Sequence, residues 1–297
     1  MGNKYKAHLA LVGTNVFFAI NFTAVKYLFN GNFIKPFGLN FIRILLTTVL
    51  FWFIYLFKKN KTLINRKDIG RLILCALTGI VINQLLFIKG LSLTYSIHAS
   101  LLMLTTPLLI VLIAAILLKE RVTFNKLLGL TLGVSGAAVL IANRQNSGGG
   151  SNVLLGDTLV LLNAISYSVY FIIVKPLMKK YEPITVTRLL FTIGLFIAFP
   201  FCWEEFSVTA WSTYSCTEYL VLGLIVIGGT FFAYLFNVYG IKHLGPAISG
   251  SYIYSQPIFA TIIAIVFLGE TLEWYKIISG VLIFSGVYLA NKSNNNV

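Results

Sequence analysis

Polar side chains follow one face of several strongly apolar segments in this chain. Residues three, four or seven apart lie on the same side of an α-helix, so such spacing gathers amide and phenol groups into a stripe. The stripes consist of Asn163, Tyr167 and Tyr170; of Thr230, Tyr234 and Asn237; and of Ser249, Tyr252 and Gln256. Two further apolar segments carry Thr14, Asn15 and Asn21, and Asn83 and Gln84. Grouped amides and phenols can bind a small polar molecule in a hydrated cavity, or they can join helices by hydrogen bonds. We expect the cavity, with helix packing as the alternative.

Three ionisable side chains also fall within apolar segments. Arg43 lies seven residues after Pro36, and its planar fork of donors can bind a carboxylate. Arg188 lies five residues after Pro183. At these depths either arginine can instead extend its charged end to the lipid headgroups. His98 lies near a segment end, where a hydrogen-bonded packing role and a proton-carrying role are both open.

Pro107 and Pro257 interrupt two apolar segments near their middle. A proline has no N–H and frees the carbonyl four residues earlier, which belongs here to Met103 and Ile253. Such a break can flex a gate or offer a carbonyl to a substrate. A static kink that serves only packing is the alternative.

The positions of the acidic residues predict which charged substrates the cavity can accept. All nine fall in loops or within about one helical turn of a segment end. None is therefore expected to act like the buried carboxylate of a proton relay. We expect the cavity to repel cations, to accept an anionic, zwitterionic or neutral substrate, and to work without proton coupling, His98 being the one exception. Glu120 and Glu270 precede the next helix, and we expect both to be helix caps.

Residues that could perform catalysis do not form a recognisable set. The chain has no HExxH, no GxSxG and no pair of carboxylates within an apolar segment. Cys75, Cys202 and Cys216 form no CxxC motif, although a Cys202–Cys216 bridge across one loop is conceivable. We expect neither an enzyme nor a bound metal or cofactor.

The composition makes the lipid bilayer the solvent of this chain. Of 297 residues, 58% are hydrophobic and 11% are charged, whereas soluble domains are roughly 25% charged. A net charge of +14 raises the possibility of nucleic-acid binding. However, the basic residues lie in short loops between apolar segments, as the positive-inside rule predicts for a membrane protein. We therefore expect no nucleic-acid partner.

Ten apolar segments have the length needed to cross a hydrocarbon core about 30 Å thick. The predicted helices cover residues 8–29, 36–57, 69–91, 96–118, 125–142, 155–178, 183–203, 219–240, 246–268 and 274–291. With a cytoplasmic N-terminus, 16 Lys and Arg residues lie inside and 5 lie outside. This asymmetry predicts that both termini are cytoplasmic.

The second half of the chain repeats the first after 150 residues. Gly90, Pro107, Glu120, Lys126, Ser135 and Gly136 recur as Gly240, Pro257, Glu270, Lys276, Ser285 and Gly286. Each half holds five apolar segments, and an odd number gives the two halves opposite orientations in the bilayer. We predict one repeat at residues 1–145, a flexible glycine-rich linker at 146–152 and a second repeat at 153–297. Inverted repeats of this kind are typical of secondary transporters.

The order of these motifs resembles the EamA-type transporters of the drug/metabolite transporter superfamily. The resemblance lies in residues 90–94, 96–100, 106–108, 118–121 and 129–136, and in Gly240 and residues 247–251, 256–258, 268–270 and 280–286. Arg43 and Arg188 also fit that family. The resemblance implies ten helices, a central cavity between the halves and alternating access. It also implies varied small metabolites as substrates, often amino acids and often exported.

These observations predict an all-α integral membrane protein with ten transmembrane helices in two inverted five-helix repeats. We expect it in the plasma membrane, which is the inner membrane in a bacterium. The expected function is secondary transport, as an exporter or facilitator, of small polar metabolites such as amino acids. An integral-membrane enzyme or a lipid-handling protein is the alternative. The small residues Gly129, Gly133, Gly286 and Ala290 can pack helices closely, within the chain or across a homodimer.

Overall fold

The computed structural model describes residues 2–57, 64–118, 124–143 and 151–292. Within these residues the chain forms helices joined by short turns, with no strand. Eight helical segments are long and apolar enough to cross a membrane, and two shorter apolar helices bring the set to ten. We call them spans 1 to 10. They confirm the predicted all-α membrane fold.

Span 1 is Gly2–Asn30, span 2 is Pro36–Leu56, span 3 is Arg66–Leu93, span 4 consists of Ser96–Met103 and Thr105–Leu118, and span 5 is Phe124–Ala142. Span 6 is Val153–Lys180, span 7 is Pro183–Ser207, span 8 is Cys216–Leu244, span 9 runs from Pro246 to Leu268, and span 10 is Trp274–Lys292. Wide π-helical turns occur at Leu77–Val81 in span 3 and at Leu224–Phe232 in span 8.

Prolines and glycines set several span ends. Pro36 and Pro183 stand in the first turns of spans 2 and 7, where the missing N–H leaves no helical hydrogen bond unmade. Gly245 and Gly269 adopt φ angles of 84° and 67°. L side chains rarely adopt these φ angles, so glycine allows the chain to turn after spans 8 and 9. Gly269, with ψ 22°, is a left-handed C-cap of span 9.

The π-helical turns of spans 3 and 8 lie at equivalent positions of the two halves. Gly79 and Gly229, which are 150 residues apart, lie within them. A Cβ on Gly79 would come 2.4 Å from the ring of Tyr170, and a Cβ on Gly229 would come 2.5 Å from Asn21 Oδ1. The glycines therefore let spans 6 and 1 approach the widened turns closely, at sites where helices commonly carry function.

Both spans that contain a mid-span proline are interrupted just before it. Span 4 breaks at Leu104, before Pro107, and span 9 passes through a 3-10 turn at Tyr252–Ser255, before Pro257. The prediction that the Ile253 carbonyl is free is wrong, because this carbonyl accepts the Gln256 N–H. The tighter 3-10 turn supplies a donor three residues ahead in place of the one that proline removes. A gating role for the two breaks stays a prediction.

The packing pattern is unchanged when each span is replaced by its equivalent in the other half. Span 2 packs against its equivalent, span 7, and span 5 packs against its equivalent, span 10. Span 3 packs along span 6 as span 8 packs along span 1, and span 4 contacts span 6 as span 9 contacts span 1. Inverted repeats predict this pattern, because each contact made by one half recurs in the other.

Three of the basic residues counted on the outer side lie within helices, near the span ends, as the predicted bounds imply. Lys26 is buried near the end of span 1, and its Nζ donates to the carbonyls of Leu91 and Thr94 at 3.2 and 2.6 Å. The cation is stable there because the last carbonyls of span 3 carry partial negative charge. Lys89 and Lys276 also lie in helices, in spans 3 and 10.

The predicted small-residue contacts join spans 5 and 10 within the chain. A Cβ on Gly286 would come 2.5 Å from the Gly129 carbonyl oxygen and 2.8 Å from Gly133 N. Because glycine lets the two backbones approach closely, it explains the intimate packing of these spans. A homodimer stays a prediction. The predicted cap Glu120 and residues 146–150 of the predicted linker lie outside the described residues.

Candidate functional site

A narrow cavity of about 50 Å³ lies at the centre of the bundle. Its lining comes from spans 1, 2, 3, 4, 6, 8 and 9, and therefore from both halves. The lining residues are Phe18, Asn21, Phe22, Arg43, Asn83, Gln84, Phe87, Met103, Asn163, Tyr167, Tyr234 and Gln256. A water molecule needs roughly 10–15 Å³ of such space, so the cavity has room for a few waters.

Arg43 places a buried cation against this cavity. Only 3% of the residue is exposed, and its Nε donates to Thr230 Oγ1 at 3.0 Å. Its Nη1 is buried and has no hydrogen-bond partner among the described residues. The alternative in which Arg43 reaches the headgroups is therefore wrong. The side chain points into the bundle, where span 8 supplies a hydroxyl acceptor.

Tyr234 is the centre of the hydrogen-bond network beside Arg43. Its hydroxyl lies 3.0 Å from the Gly79 carbonyl oxygen and 3.2 Å from Asn83 Oδ1, and either can accept its proton. The same hydroxyl accepts from Gln84 Nε2 at 3.4 Å. The π-helical turn of span 3 leaves the Gly79 carbonyl available to a side chain of span 8. Asn163 Nδ2 donates to the Asn83 carbonyl at 2.7 Å and so joins span 6 to this network.

Several acceptor atoms of the lining have no partner among the described residues. Asn21 Oδ1, Gln84 Oε1 and Asn163 Oδ1 are all buried and unpaired. The orientation of the Asn163 amide follows from its Nδ2, which donates to a carbonyl and leaves Oδ1 for another donor. A buried polar atom without a partner is costly. These three oxygens, Arg43 Nη1 and the Tyr167 hydroxyl, which is also buried without a partner among the described residues, are therefore available to bind a polar molecule.

Gln256 lines the cavity and is hydrogen-bonded to Asn15, which lies outside it. Gln256 Nε2 donates to Asn15 Oδ1 at 2.6 Å, and Asn15 Nδ2 donates to the Leu11 carbonyl at 2.6 Å. Asn15 is therefore satisfied by protein groups and does not line the cavity.

Four other predicted site residues also lie outside the cavity. Tyr170 is buried with its ring 5.8 Å from that of Tyr167, on the side of Gly79. Asn237 is buried farther along span 8. Tyr252 Oη lies 2.5 Å from His8 Nδ1. The fourth, His98, is buried against span 6 and is described below.

Sequence reasoning missed the apolar part of the lining, which comes from Phe18, Phe22, Phe87 and Met103. Their hydrophobicity is ordinary for a membrane helix, so no composition signal separates them from lipid-facing residues. The 150-residue spacing of Gly79 and Gly229 was a usable signal, since it marks the two widened turns.

Arg188 takes a different environment from Arg43. Its guanidinium carbon lies 4.2 Å from the ring centre of Trp52 and 3.6 Å from that of Tyr55. These distances are typical of cation–π contacts, which stabilise a partly desolvated arginine. Arg188 is therefore held by span 2, and it does not line the central cavity.

Asp157 corrects the expectation that no carboxylate is buried. It lies in the second turn of span 6 and has no exposed surface. His98 Nδ1 donates to its Oδ2 at 3.1 Å, and the Thr94 hydroxyl donates to its Oδ1 at 2.5 Å. A short distance from the helix end does not make Asp157 exposed. In the fold, span 4 and the turn before it cover this helix end.

Glu270 is a cap, as predicted, but it caps a different helix. Its carboxylate accepts the N–H groups of Ser96 and Ile97 at 2.8 and 3.0 Å. These donors begin span 4, whereas the expectation was the start of the helix that follows Glu270. The carboxylate is stable there because the first N–H groups of a helix carry partial positive charge.

Two five-span halves around a central polar cavity define a helical membrane transporter with inverted repeats. The chain belongs to the EamA-like transporter family, whose family model matches residues 5–142 and 154–292. Both matched segments contribute residues to the cavity.

Relatives of known sequence agree with this class. An uncharacterized transporter from Archaeoglobus fulgidus is 23% identical over 96% of this chain and 98% of that protein. A probable terminal-alkyne amino-acid exporter from Streptantibioticus cattleyicolor is 29% identical over 76% of this chain and 74% of that protein. One solved crystal structure superposes with a TM-score of 0.67 at 20% identity, and it covers 96% of this chain and 97% of that one. That likeness concerns the fold alone.

Proposed function

We propose that this transporter moves a small zwitterionic metabolite of the amino-acid type across the plasma membrane, as an exporter or facilitator, by alternating access. The observation that carries this proposal is the set of unpartnered atoms in the central cavity. One is a cationic donor, Arg43 Nη1, three are amide oxygens, of Asn21, Gln84 and Asn163, and the fifth is the Tyr167 hydroxyl, which can donate or accept.

The cationic donor and the amide oxygens complement the two ends of a zwitterion. The guanidinium of Arg43 donates to a carboxylate, a charge-assisted bond that is stronger than a bond between neutral groups. The amide oxygens accept from an ammonium group. Among the described residues, no carboxylate lines the cavity to attract a simple cation. The rings of Phe18, Phe22 and Phe87 provide an apolar surface for the substrate's side chain.

The size of the cavity and the repeat support alternating access. Small-molecule sites usually measure about 300–1,000 Å³, whereas this cavity measures about 50 Å³. A substrate therefore enters only if the spans around the cavity move apart. The two halves offer two equivalent ways to do so, one towards each side of the membrane. The widened turns of spans 3 and 8 and the breaks in spans 4 and 9 are points where such movement requires little repacking.

The amino-acid type of substrate has independent support in the name of one relative, the probable terminal-alkyne amino-acid exporter. We place the protein with both termini in the cytoplasm, as the distribution of basic residues predicts.

The test is counterflow in proteoliposomes with radiolabelled alanine, serine, leucine and phenylalanine. We expect at least one to exchange. Replacing Arg43 by Gln should lower that exchange by about 10- to 100-fold, as expected for the loss of a hydrogen bond to a charged group worth about 1.5–3 kcal/mol. Arg188→Gln is the matched control, because it removes a buried arginine of the other half that does not line the cavity. Exchange of none of the four amino acids, or equal loss in both variants, would contradict the proposal.

A further inference from the structure

Two hydrogen bonds join the halves at opposite ends of the bundle, and their carboxylates occupy equivalent positions of the repeat. Asp68, at the start of span 3, accepts from the Tyr181 hydroxyl at 2.8 Å. Glu218 follows 150 residues later at the start of span 8, and it accepts from the Tyr27 hydroxyl at 3.0 Å. We call these regions the Asp68 end and the Glu218 end. They lie on opposite sides of the membrane, because five crossings separate the starts of spans 3 and 8.

Both bonds join equivalent pairs of spans. Tyr181 directly follows span 6, and Tyr27 lies in the last turn of span 1. Span 3 packs along span 6 as span 8 packs along span 1. However, the two tyrosines are not equivalent in the sequence, since the register that aligns Lys26 with Lys175 pairs Tyr181 with Asn32. The same contact is therefore made from different tyrosine positions, and the repeated sequence alone does not account for it.

The start of its own helix holds Glu218 in place. Its Oε2 accepts the Ser215 N–H at 2.8 Å and also the Ser215 hydroxyl. This capping box leaves Oε1 for Tyr27, whose ring stacks on that of Phe33 at 6.2 Å. Both partners are therefore positioned by their own half before they meet.

Asp68 has two partners next to each other at the end of span 6. Lys180 Nζ lies 3.0 Å from its Oδ1, but this lysine side chain is 57% exposed, and an ion pair so exposed contributes little. Tyr181 is only 7% exposed, and its hydroxyl also accepts the Asn65 N–H at 3.1 Å. The hydrogen bond from Tyr181 is therefore the contact that is protected from water.

Each carboxylate lies beyond a widened turn as seen from the cavity. In span 3 the helix Ile69–Ala76 lies between Asp68 and the π-helical turn, and the cavity residues follow that turn. In span 8 the helix Cys216–Gly223 carries Glu218, and it is followed by the second π-helical turn and then by Tyr234 of the cavity. A short helix that ends at a widened turn can change direction with little repacking of the rest of the span.

We propose that the Asp68–Tyr181 and Glu218–Tyr27 hydrogen bonds are the latches of two gates, each of which holds its end of the bundle closed and breaks when the cavity opens at that end. This inference rests on the alternating access of the proposed function but not on the identity of the substrate. Both bonds are present in this structure, in which the cavity of about 50 Å³ is too small for a substrate.

A latch differs from an ordinary helix contact in the direction of its effect. A contact that persists in every arrangement stabilises all of them equally, so its removal does not change which end is open. A bond that exists only while its own end is closed favours closure of that end. Its removal therefore shifts the population towards opening at that end, and the two latches must act in opposite directions.

The test measures access to the cavity from each side of the membrane without any substrate. Met103→Cys places a thiol in the cavity, in protein whose buried Cys75 and Cys202 are replaced by Ala. An impermeant maleimide is added to right-side-out or to inside-out membrane vesicles, and peptide mass spectrometry gives the labelling rate of each thiol. The exposed Cys216 lies at the Glu218 end and reacts in only one kind of vesicle. It therefore identifies the face of that end, whichever orientation the protein has.

We expect opposite changes in the two tyrosine variants. Tyr27→Phe should raise the labelling rate of the cavity thiol in the vesicles in which Cys216 reacts, and Tyr181→Phe should raise it in the other vesicles. The increase should be about three- to tenfold, the size expected when the closed arrangement alone loses one hydrogen bond. It should be smaller for Tyr27, which is 37% exposed, because water competes for the bond.

Matched controls remove a tyrosine hydroxyl at each end without touching a latch. Tyr219 donates to the Trp211 carbonyl of its own half at 2.9 Å. Tyr239 packs on His243 of its own span, with ring centres 4.4 Å apart. Tyr219→Phe and Tyr239→Phe should leave the labelling rate unchanged on both sides.

The carboxylates provide a second pair of variants. Glu218→Gln and Asp68→Asn keep an acceptor but remove the charge that strengthens the bond. Each should therefore raise labelling on the same side as the tyrosine variant of its own latch, by a smaller factor. This pair tests the same direction of effect through the other partner of each bond.

Unchanged labelling in both tyrosine variants at normal folded yield would overturn the inference, and so would an increase on the same side in both. An equal increase in the control variants would also contradict it. If the opposite changes occur while no amino acid exchanges in proteoliposomes, the latches stand and the proposed substrate class fails. If amino acids exchange while labelling is unchanged in all variants, the latches fail and the proposed function stands.

Discussion

Gln84 Nε2 donates to Tyr234 Oη at 3.4 Å, and the two residues are 150 positions apart in the chain. They therefore occupy the same position in the two repeats and meet beside the central cavity. A contact between equivalent positions lies on the axis that relates the halves. The first half contributes the amide of Gln84 and the second half the phenol of Tyr234. At the centre, the two halves therefore have equivalent backbone positions but different side chains.

The first prediction concerns the hydroxyl of Tyr234. Tyr234→Phe should slow exchange and destabilise the folded protein by roughly 1 kcal/mol, the usual size of an interhelical hydrogen-bond contribution in a membrane. The reason is that spans 3 and 8 lose the group that joins Gly79, Asn83 and Gln84. Thermal unfolding in detergent and counterflow measure the two effects. Tyr239→Phe, on the same span but outside the cavity, should change neither, and an unchanged Tyr234→Phe variant would contradict this account.

Sequence patterns predict the helices and which face of a helix carries the polar residues. They do not predict where along that face the cavity lies. The stripe of span 6 includes both Asn163, which lines the cavity, and Tyr170, which lies beyond it. Helical spacing places residues on a face, whereas the cavity occupies only a short stretch along that face. The same limit applies to Tyr234 and Asn237 in span 8.

Burial of charge was the least predictable property. Asp157 lies near the start of its helix in the sequence, yet it is fully covered by span 4. Arg43 and Arg188 have similar sequence settings, yet one faces the cavity and the other stacks on Trp52. The packing of the whole bundle determines which neighbouring span covers a side chain. The spacing of residues within one span cannot predict this.

The second prediction tests the Asn163 amide. Asn163→Ala should lower exchange by about 30-fold, because it removes both the link to the Asn83 carbonyl and an acceptor for the substrate, each worth about 1 kcal/mol. Leu162→Ala is the control, since Leu162 is 45% exposed on the outer face of the same helix. The neighbour Ala164 is a poorer control because it is fully buried. The folded yield of both variants should equal that of the parent, and equal exchange in the two would favour a pure packing role for Asn163.

The third prediction concerns the glycines of the widened turns. Gly79→Ala and Gly229→Ala should each destabilise the protein by about 1–3 kcal/mol, the range found when a packed core receives an extra methyl group. The added Cβ would lie 2.4 Å from Tyr170 in one case and 2.5 Å from Asn21 in the other.

Gly70→Ala and Gly223→Ala are the matched helical controls, because a Cβ at either position has nothing within 4 Å. They should be neutral or slightly stabilising, since alanine favours a helix over glycine by roughly 0.5–1 kcal/mol. Melting temperatures in one detergent compare all four variants. Similar melting temperatures for the two pairs of variants would show that span 6 does not closely approach the widened turn of span 3, nor span 1 that of span 8.

The fourth prediction concerns orientation. A cysteine at Ser212, in the turn between spans 7 and 8, should react with an impermeant thiol reagent in intact cells, whereas tags at the two termini should be protected. The basis is the excess of basic residues on the side of the termini, 16 against 5. The native Cys216 is exposed and should react from the same side, while Cys75 and Cys202 are buried and should not. Protection of both residues 212 and 216 in intact cells, with labelling after lysis, would reverse the orientation.

The last prediction concerns the charge of the substrate. In counterflow with a transported amino acid such as alanine, its amide and ethylamine should compete at least about tenfold less well, because neither offers a carboxylate to the buried guanidinium and a lost charged hydrogen bond costs about 1.5–3 kcal/mol. Propionate retains the carboxylate but lacks the ammonium group, so it should compete better than ethylamine and less well than alanine. In Arg43→Gln the preference for alanine over its amide should shrink, while in Arg188→Gln it should persist, since only Arg43 lines the cavity. Strong competition by ethylamine would show that an ammonium group alone is sufficient for recognition, and the zwitterion assignment would then fail.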